Sequence, residues 1–414
     1  MSSSDRHPVV DFDHHSPEFN ANVDAAWKQL RETCPVAWSE HYDGFWVVSD
    51  YEGNHEVLKH HEIFTSERWP EDDGWGTSFI PKAGQGEVTL PLEVDPPDHI
   101  AVRQLLNPLL SPQASEAMKP RIAHWTKQHI DVVIETGACD LLYDITSPVP
   151  AHITLEWLGY PLEHAEATSS AFHDMLGYAP GTEGFDRGFG SVVKIVEILG
   201  DTIKARRVDP RDDVISHLQA QELHGRPVDD DTILNMCIVL VGGGVDTTTS
   251  LTSSALVHLD RDRALRRRLI EEPELLGTAT EEFLRMFPPL ATIARTARLD
   301  TELRGCPVHA GDRVLVSRHS ANYDAGQFDR PEEFVPDRFP NRHVSFGLGV
   351  HRCVGSHLAR LMFQEMITQI LARMPDYEID ESAIAPYPDR GFAQGWVSLP
   401  ARFTPAAAAT GSAA

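Results

Sequence analysis

Phe346-Gly347-Leu348-Gly349-Val350-His351-Arg352-Cys353-Val354-Gly355 lies immediately before a run of helical character, Gly355–Met374. Two glycines precede the cysteine and one follows it. Glycine permits tight turns and lets backbone come close to a flat ligand. A thiol on such a loop, at a helix N-terminus, is biased toward the thiolate by nearby N–H groups and by the helix dipole. That is the state in which sulfur ligates a haem iron. The plainer reading is a buried cysteine in a glycine-rich turn, since free cysteine is commonly buried. The other four cysteines, Cys34, Cys139, Cys237 and Cys306, are widely spaced and form no CxxC pair. They suggest neither a zinc knuckle nor a disulfide framework and read as core thiols.

Upstream of this loop the chain reads mostly as helix: Val23–Cys34, Asp50–His60, Pro97–Leu110, Ser115–Glu135, Pro150–Leu158, Leu162–Leu176, Gly188–Arg207, Asp229–Asp262 and Pro273–Met286. The longest of these would span about 50 Å at the standard rise, and its Asp229-Asp230-Asp231 start suits a helix N-terminus. Strand patterns are short: Gly44–Ser49, Thr292–Arg298, Thr301–Leu303, Asp312–Val316 and Gly395–Phe403. In the middle of the long helix stand Gly242, Gly243 and Gly244, each costing roughly 1 kcal/mol relative to alanine. Small residues there either open space against a flat cofactor or kink the helix. Asp246 and Thr247 follow at once, and the Thr247 hydroxyl suits diverting a backbone carbonyl or holding a water. His99 and Arg103, four apart on one helix face, suit an anionic group. Glu282 and Arg285 can pair across one turn, as a solvated ion pair or as a structural one.

The decapeptide resembles the FxxGxHxCxG signature of the cytochrome P450 family, the haem-thiolate monooxygenases, and the other three motifs occur in the family's order. The resemblance covers nearly the whole chain. It implies a mainly α, single-domain fold with small β-sheets, and haem b bound with Cys353 as the iron ligand, donating electron density that assists O–O cleavage. It also implies that Asp246 and Thr247 shape an oxygen-binding groove and relay protons. Thr248 and Thr249 are alternatives on neighbouring helix faces. Gly243 would make room for the cofactor. His99, Arg103, Arg295 and His351 would hold the haem propionates. Glu282–Arg285 would lock its helix to the segment before the cysteine loop. On a strand Ala291, Ile293 and Arg295 share one face, and Val241, Leu290, Ile293 and Phe392, with the stretches Trp69–Phe79 and Phe172–Phe189, would line an apolar substrate pocket. Pro336–Phe346 is shorter than the family's usual stretch, and its Pro340-Asn341-Arg342-His343 resembles bacterial monoterpene-oxidising members.

Composition bounds the remaining possibilities. Acids outnumber bases 62 to 36, for a net charge of −26, which disfavours a nucleic-acid partner. The longest apolar run, Ile233–Val245, is shorter than the roughly 20 residues of a membrane span, and Met1–His15 lacks a signal core. A cytoplasmic protein without membrane attachment is expected. One domain is expected over residues 11–403, with a flexible arm at 1–10 and a disordered tail at 404–414. With no reductase domain in view, electrons would come from a ferredoxin-type iron–sulfur donor and its reductase. From Arg338 to Arg360 there are four arginines, three histidines and no acid, a local charge suited to an acidic donor. The expected activity is hydroxylation of an apolar small molecule, terpenoid-like alicyclic or aromatic, with dioxygen. A haem-thiolate peroxygenase or isomerase, and a non-catalytic haem sensor, are the alternatives.

Overall fold

The computed structural model describes residues 8–69, 74–75, 77–82, 84–85 and 88–408. Part of the expected Trp69–Phe79 pocket stretch, residues 1–7 and residues 409–414 lie outside the described residues.

The organising element is the helix Asp230–Arg261. Asp229 caps it by accepting from the Thr232 N–H at 2.8 Å. Asp230 and Asp231 occupy the first turn and His258 and Arg261 the last, as the helix dipole favours. Taken whole, this helix is long and apolar enough to cross a membrane by length and composition, which the Ile233–Val245 run alone did not suggest. Its apolar side chains instead belong to the main core, and it packs against Pro148–Leu158, Ala165–Gly177, Glu183–Val208 and Ser356–Arg373. The glycine triplet has two different causes. A Cβ at Gly242 would meet the Phe172 ring at 2.7 Å, and one at Gly244 would meet Thr154 at 2.8 Å. Those two glycines let neighbouring helices approach. Gly243 alone has open space above it.

The largest sheet has six strands in the order Val9–Val10, Val36–Ser39, Phe45–Val48, Arg313–Ser317, Thr292–Ala297 and Phe64–Thr65. The first pair and the Phe45–Val48/Arg313–Ser317 pair are parallel, and the others antiparallel. The register pairs Ile293 with Val316 and Arg295 with Val314. A mainly helical chain with small sheets is therefore what forms.

Several boundaries differ from expectation. The Ser115–Glu135 stretch forms two helices, Pro112–Ala117 and Lys119–Val133, because Pro120 has no N–H to continue the first one. Val9–Val10 is not a free arm but pairs with Trp38 and Ser39. Residues 404–408 are likewise tied down: the Ala406 N–H donates to Ile134 O at 3.1 Å and the Ala408 N–H to Glu135 Oε1 at 3.1 Å. The strand Val36–Ser39 and the helix Arg263–Glu271 went unread.

Candidate active site

The cysteine loop is built by its glycines. Gly347 and Gly349 have φ of 67° and 65°, a region most side chains avoid. A Cβ at Gly349 would also meet Leu58 O at 2.9 Å. The Cys353 N–H donates to Phe346 O at 2.8 Å, closing the loop just before helix Ser356–Arg373. The Cys353 side chain is accessible yet ringed by protein. Burial pushes its thiol up, against the pull of the Gly355 N–H and the charges of Arg103, Arg318 and Arg352. A coordinated metal ion would add positive charge on the side of the thiolate.

The segment leading into the loop is held by buried charge. Glu282 and Arg285 are both fully buried and paired through two hydrogen bonds of 2.8 Å. The Arg285 guanidinium also donates to Asn322 O, Pro331 O and Glu333 O. Glu282 in turn accepts from the Val335 N–H, Arg338 Nε and Asn341 Nδ2. The solvated alternative is thereby excluded, and the pair locks its helix to residues 331–341. Beside it, Glu281 accepts from Arg360 at 2.6 and 2.7 Å and from His343 at 3.1 Å. Burial works to raise the Glu281 carboxyl, but these bonds outweigh it and hold it down at about 2. Two of the four arginines between 338 and 360 are thus neutralised, which lowers the local surface charge expected from sequence. Arg342 and Arg352 remain exposed.

Next to the loop lies a cluster of cationic and imidazole groups. His99 is buried, both its ring nitrogens lack a hydrogen-bond partner, and its ring centre is 4.4 Å from that of His351. Burial, with His351 and Arg103 nearby, pushes it down to about 4. Arg103 donates to Arg352 O at 2.8 Å and to Asn107 Oδ1 at 3.0 Å. Arg295 is buried and donates to its neighbour Ala294 O at 2.8 Å. Burial lowers it to about 10, against the pull of Asp95. Of the four expected propionate ligands, His99 and Arg295 are thus brought to His351 and Asp95, and Arg103 lies between His99 and the cysteine loop.

Two further residues join them. Arg318 is buried, donates to Thr292 O at 3.1 Å and leaves Nε unpartnered. Burial, then Arg295, lowers it to about 10. Asp95 accepts from His351 Nε2 at 2.8 Å, from Thr65 and from Arg298. Burial works to raise it, but these bonds hold it down at about 2. Nothing local in the sequence marks either Asp95 or Arg318 as part of such a cluster. Buried guanidinium groups without full pairing, beside unpartnered imidazole nitrogens, suit a dianionic group. With Cys353 accessible and Gly243 and Gly355 open, the donor set fits a haem carrying two propionates.

On the central helix Gly243 is exposed and Thr247 partly so. They are one turn apart, and the Thr247 hydroxyl donates to Gly243 O at 2.7 Å. Val241 is fully buried in the main core, two residues and so about 200° round from Gly243. Its side chain packs within the main core. Thr249 is buried and bonds to Thr146 O and Val245 O. Thr248 is buried with an unpartnered hydroxyl. Asp246 is 1% exposed and so is not open to solvent. It accepts from Tyr387 and His173, neither of which sequence reading singled out.

The apolar residues gather where the chain segment after Asp389 crosses the sheet. The Ala291 N–H donates to Phe392 O and the Gln394 N–H to Pro289 O, both at 2.8 Å. This places Phe392 beside Leu290 and the start of the Ile293 strand, with the Phe79 ring centre 4.1 Å from that of Phe392. Leu290, Ile293 and Phe392 are all partly exposed.

Comparison with known proteins agrees with this geometry. The family model described as Cytochrome P450 matches residues 185–374. A steroid C26-monooxygenase of Mycobacterium tuberculosis is 30% identical over 363 residues, 87% of this chain and 97% of that protein. Cytochrome P450-terp of a Pseudomonas species is 28% identical over 401 residues, covering 92% and 93% of the two chains. The crystal structure of CYP109E1 from Bacillus megaterium in complex with testosterone superposes with a TM-score of 0.82 at 31% identity, covering 94% of this chain and 100% of that one. The chain therefore belongs to the cytochrome P450 family, a monooxygenase whose cofactor is haem b and which takes electrons from a redox partner.

Proposed function

We propose that this enzyme hydroxylates a bulky apolar small molecule, terpenoid-like and alicyclic or aromatic, in the cytoplasm. The observation that carries the substrate class is the apolar wall formed by Leu290, Phe392 and Phe79, with Ile293 partly exposed on the neighbouring strand. Such a wall orients a substrate by shape and desolvation. The similarity to a steroid C26-monooxygenase and to a structure with testosterone bound supports a large alicyclic ligand.

Cys353 would ligate the haem iron, and His99, Arg103, Arg295 and His351 would hold its propionates. When bound, haem supplies the reductive activation of dioxygen and the insertion of one oxygen atom into a C–H bond. The protein holds the substrate against its apolar wall, limits water, and delivers protons. Thr247 is neutral and sits on the open helix face, so its hydroxyl can release Gly243 O and hold a water or donate a proton. A carboxylate on that face would be costly to desolvate, which suits Asp246 to feeding Thr247 from behind.

The electron donor is an acidic ferredoxin-type protein with its reductase, docking where Arg342 and Arg352 are exposed near the cysteine loop. Complementary charge speeds such encounters and salt screens it. Reduction by a ferredoxin should slow with added salt and with Arg352→Ala. The substrate reading is tested by a panel of terpenoid, steroid and charged ligands scored by the shift in the haem spectrum. Shifts with carboxylate or amine ligands and none with apolar ones would overturn it.

A further inference from the structure

Asp246 is adjacent to Thr247 and so about 100° round the helix from it. Its carboxylate is turned toward other elements. Oδ2 accepts from the Tyr387 hydroxyl at 2.7 Å, and Oδ1 lies 3.0 Å from His173 Nδ1. The Tyr387 oxygen is also 3.1 Å from His173 Nδ1 and 3.5 Å from Ser250 Oγ. Asp246, His173 and Tyr387 are 1%, 8% and 2% exposed. An ionised carboxylate only accepts, so Nδ1 must carry the proton in this contact. That leaves His173 Nε2, which is buried and has no partner.

Burying a polar nitrogen without a partner is unfavourable, and the arrangement has a use. The imidazole has one nitrogen committed to Asp246 and the other free to bind a proton. The Tyr143 ring, half exposed, lies 6.3 Å from the imidazole between ring centres. The charged and titratable groups around His173 are Asp246, Tyr387 and Tyr143, with Asp174 and Asp140 further off. Asp174 is itself paired with Arg187 at 2.8 Å.

We infer that His173 is a positioning residue that supplies protons to Asp246, an inference resting on the reading of Asp246 and Thr247 as the proton relay. A proton taken up at Nε2 makes the imidazolium. The Nδ1 proton then passes to Asp246 Oδ1, so that imidazolium and carboxylate become neutral imidazole and carboxylic acid. No electron moves. Asp246 passes its proton to the Thr247 face. The ring reloads when Nε2 gives its proton back to water and Nδ1 takes one up, which restores the neutral imidazole with its hydrogen on Nδ1. Burial lowers the tendency of His173 to protonate, but the hydrogen bond and charge of Asp246 outweigh it and the net direction is upward. The imidazolium therefore persists to higher pH than for a free histidine and is lost as pH rises through that raised value.

The test compares wild type, His173→Asn and Asp246→Asn for turnover, peroxide released per electron and solvent isotope effect across about pH 6 to 9. Asparagine keeps an N–H near the Nδ1 position but binds no second proton. His173→Asn should therefore lower turnover by about tenfold or more, enlarge the isotope effect and flatten the alkaline fall. A His173→Asn enzyme with wild-type turnover and pH profile overturns the inference. If Asp246→Asn is impaired while His173→Asn is not, only the histidine falls. If neither is impaired, the Asp246 reading falls with it. Nitrogen NMR of His173 in the wild-type holoenzyme needs no variant: Nδ1 should be protonated on both sides of the titration, and an unprotonated Nδ1 overturns the inference.

Discussion

The cysteine side of the site and the central-helix side are built on opposite principles. In the segment leading into Cys353 nearly every strong group has a permanent partner, while His99 and Arg318 beside it keep unpartnered nitrogens for a ligand. Glu282 and Arg285 are fully buried against each other, Glu281 is bound by Arg360 and His343, and the loop is closed by its own backbone. On the central helix the polar groups are mostly neutral hydroxyls, and hydrogen-bonding capacity is left open at Thr248 Oγ1 and His173 Nε2. Buried ion pairs resist rearrangement because separating them strands a charge. Hydroxyls and an imidazole rearrange at little cost and can pass protons. The side that must hold a ligand still is fastened, and the side that must move protons is left adjustable.

This contrast breaks most completely at the sulfur. Cys353→Ser should abolish turnover, and the reduced protein with carbon monoxide should lose the red-shifted absorption band that thiolate ligation produces. A variant retaining that band would place the ligand elsewhere. Next in size is the fastening. Glu282→Ala leaves Arg285 buried without its carboxylate and should cost about 3–5 kcal/mol, read by urea unfolding. A loss below about 1 kcal/mol would mean the pair is not what holds residues 331–341.

Thr247→Ala sharpens the comparison from the other side. It removes one hydroxyl that donates to Gly243 O, so stability should change by about 1 kcal/mol or less. Product formed per electron should fall severalfold and peroxide rise, with substrate binding and reduction unchanged. Equal coupling in variant and wild type would remove Thr247 from the relay. The smallest effect is an acid slope. Glu281 and Asp95 are both held down at about 2 in the folded protein. Their stabilisation is therefore full above the ordinary carboxylate range and is lost as pH falls through it toward about 2. Glu281→Gln should flatten part of the fall in stability measured between about pH 5 and 2.

Much of this was local enough to read from the chain. The cysteine loop announces itself because its glycines, its thiol and the following helix lie within ten residues, and φ values of 67° and 65° at Gly347 and Gly349 are what such glycines are for. The long helix is framed by the Asp229 cap and its acidic first turn, both encoded at its start. The Thr292 strand follows from its own residue types. These signals act over a few residues, so composition and spacing suffice to find them.

What the fold alone decided are pairings between distant residues. Asp246 meets His173 across 73 positions and Tyr387 across 141. Neither partner carries a local mark, because what makes them important is burial beside one carboxylate. Gly242 and Gly244 look like Gly243 in sequence, yet two admit neighbouring helices and one opens the site. The positive run from Arg338 to Arg360 looks like a docking surface of four arginines until Glu281 and Glu282, on another helix, neutralise two of them. Backbone preference and helix capping act along the chain. Burial and charge pairing act through space, and only the packed molecule shows which residues share it.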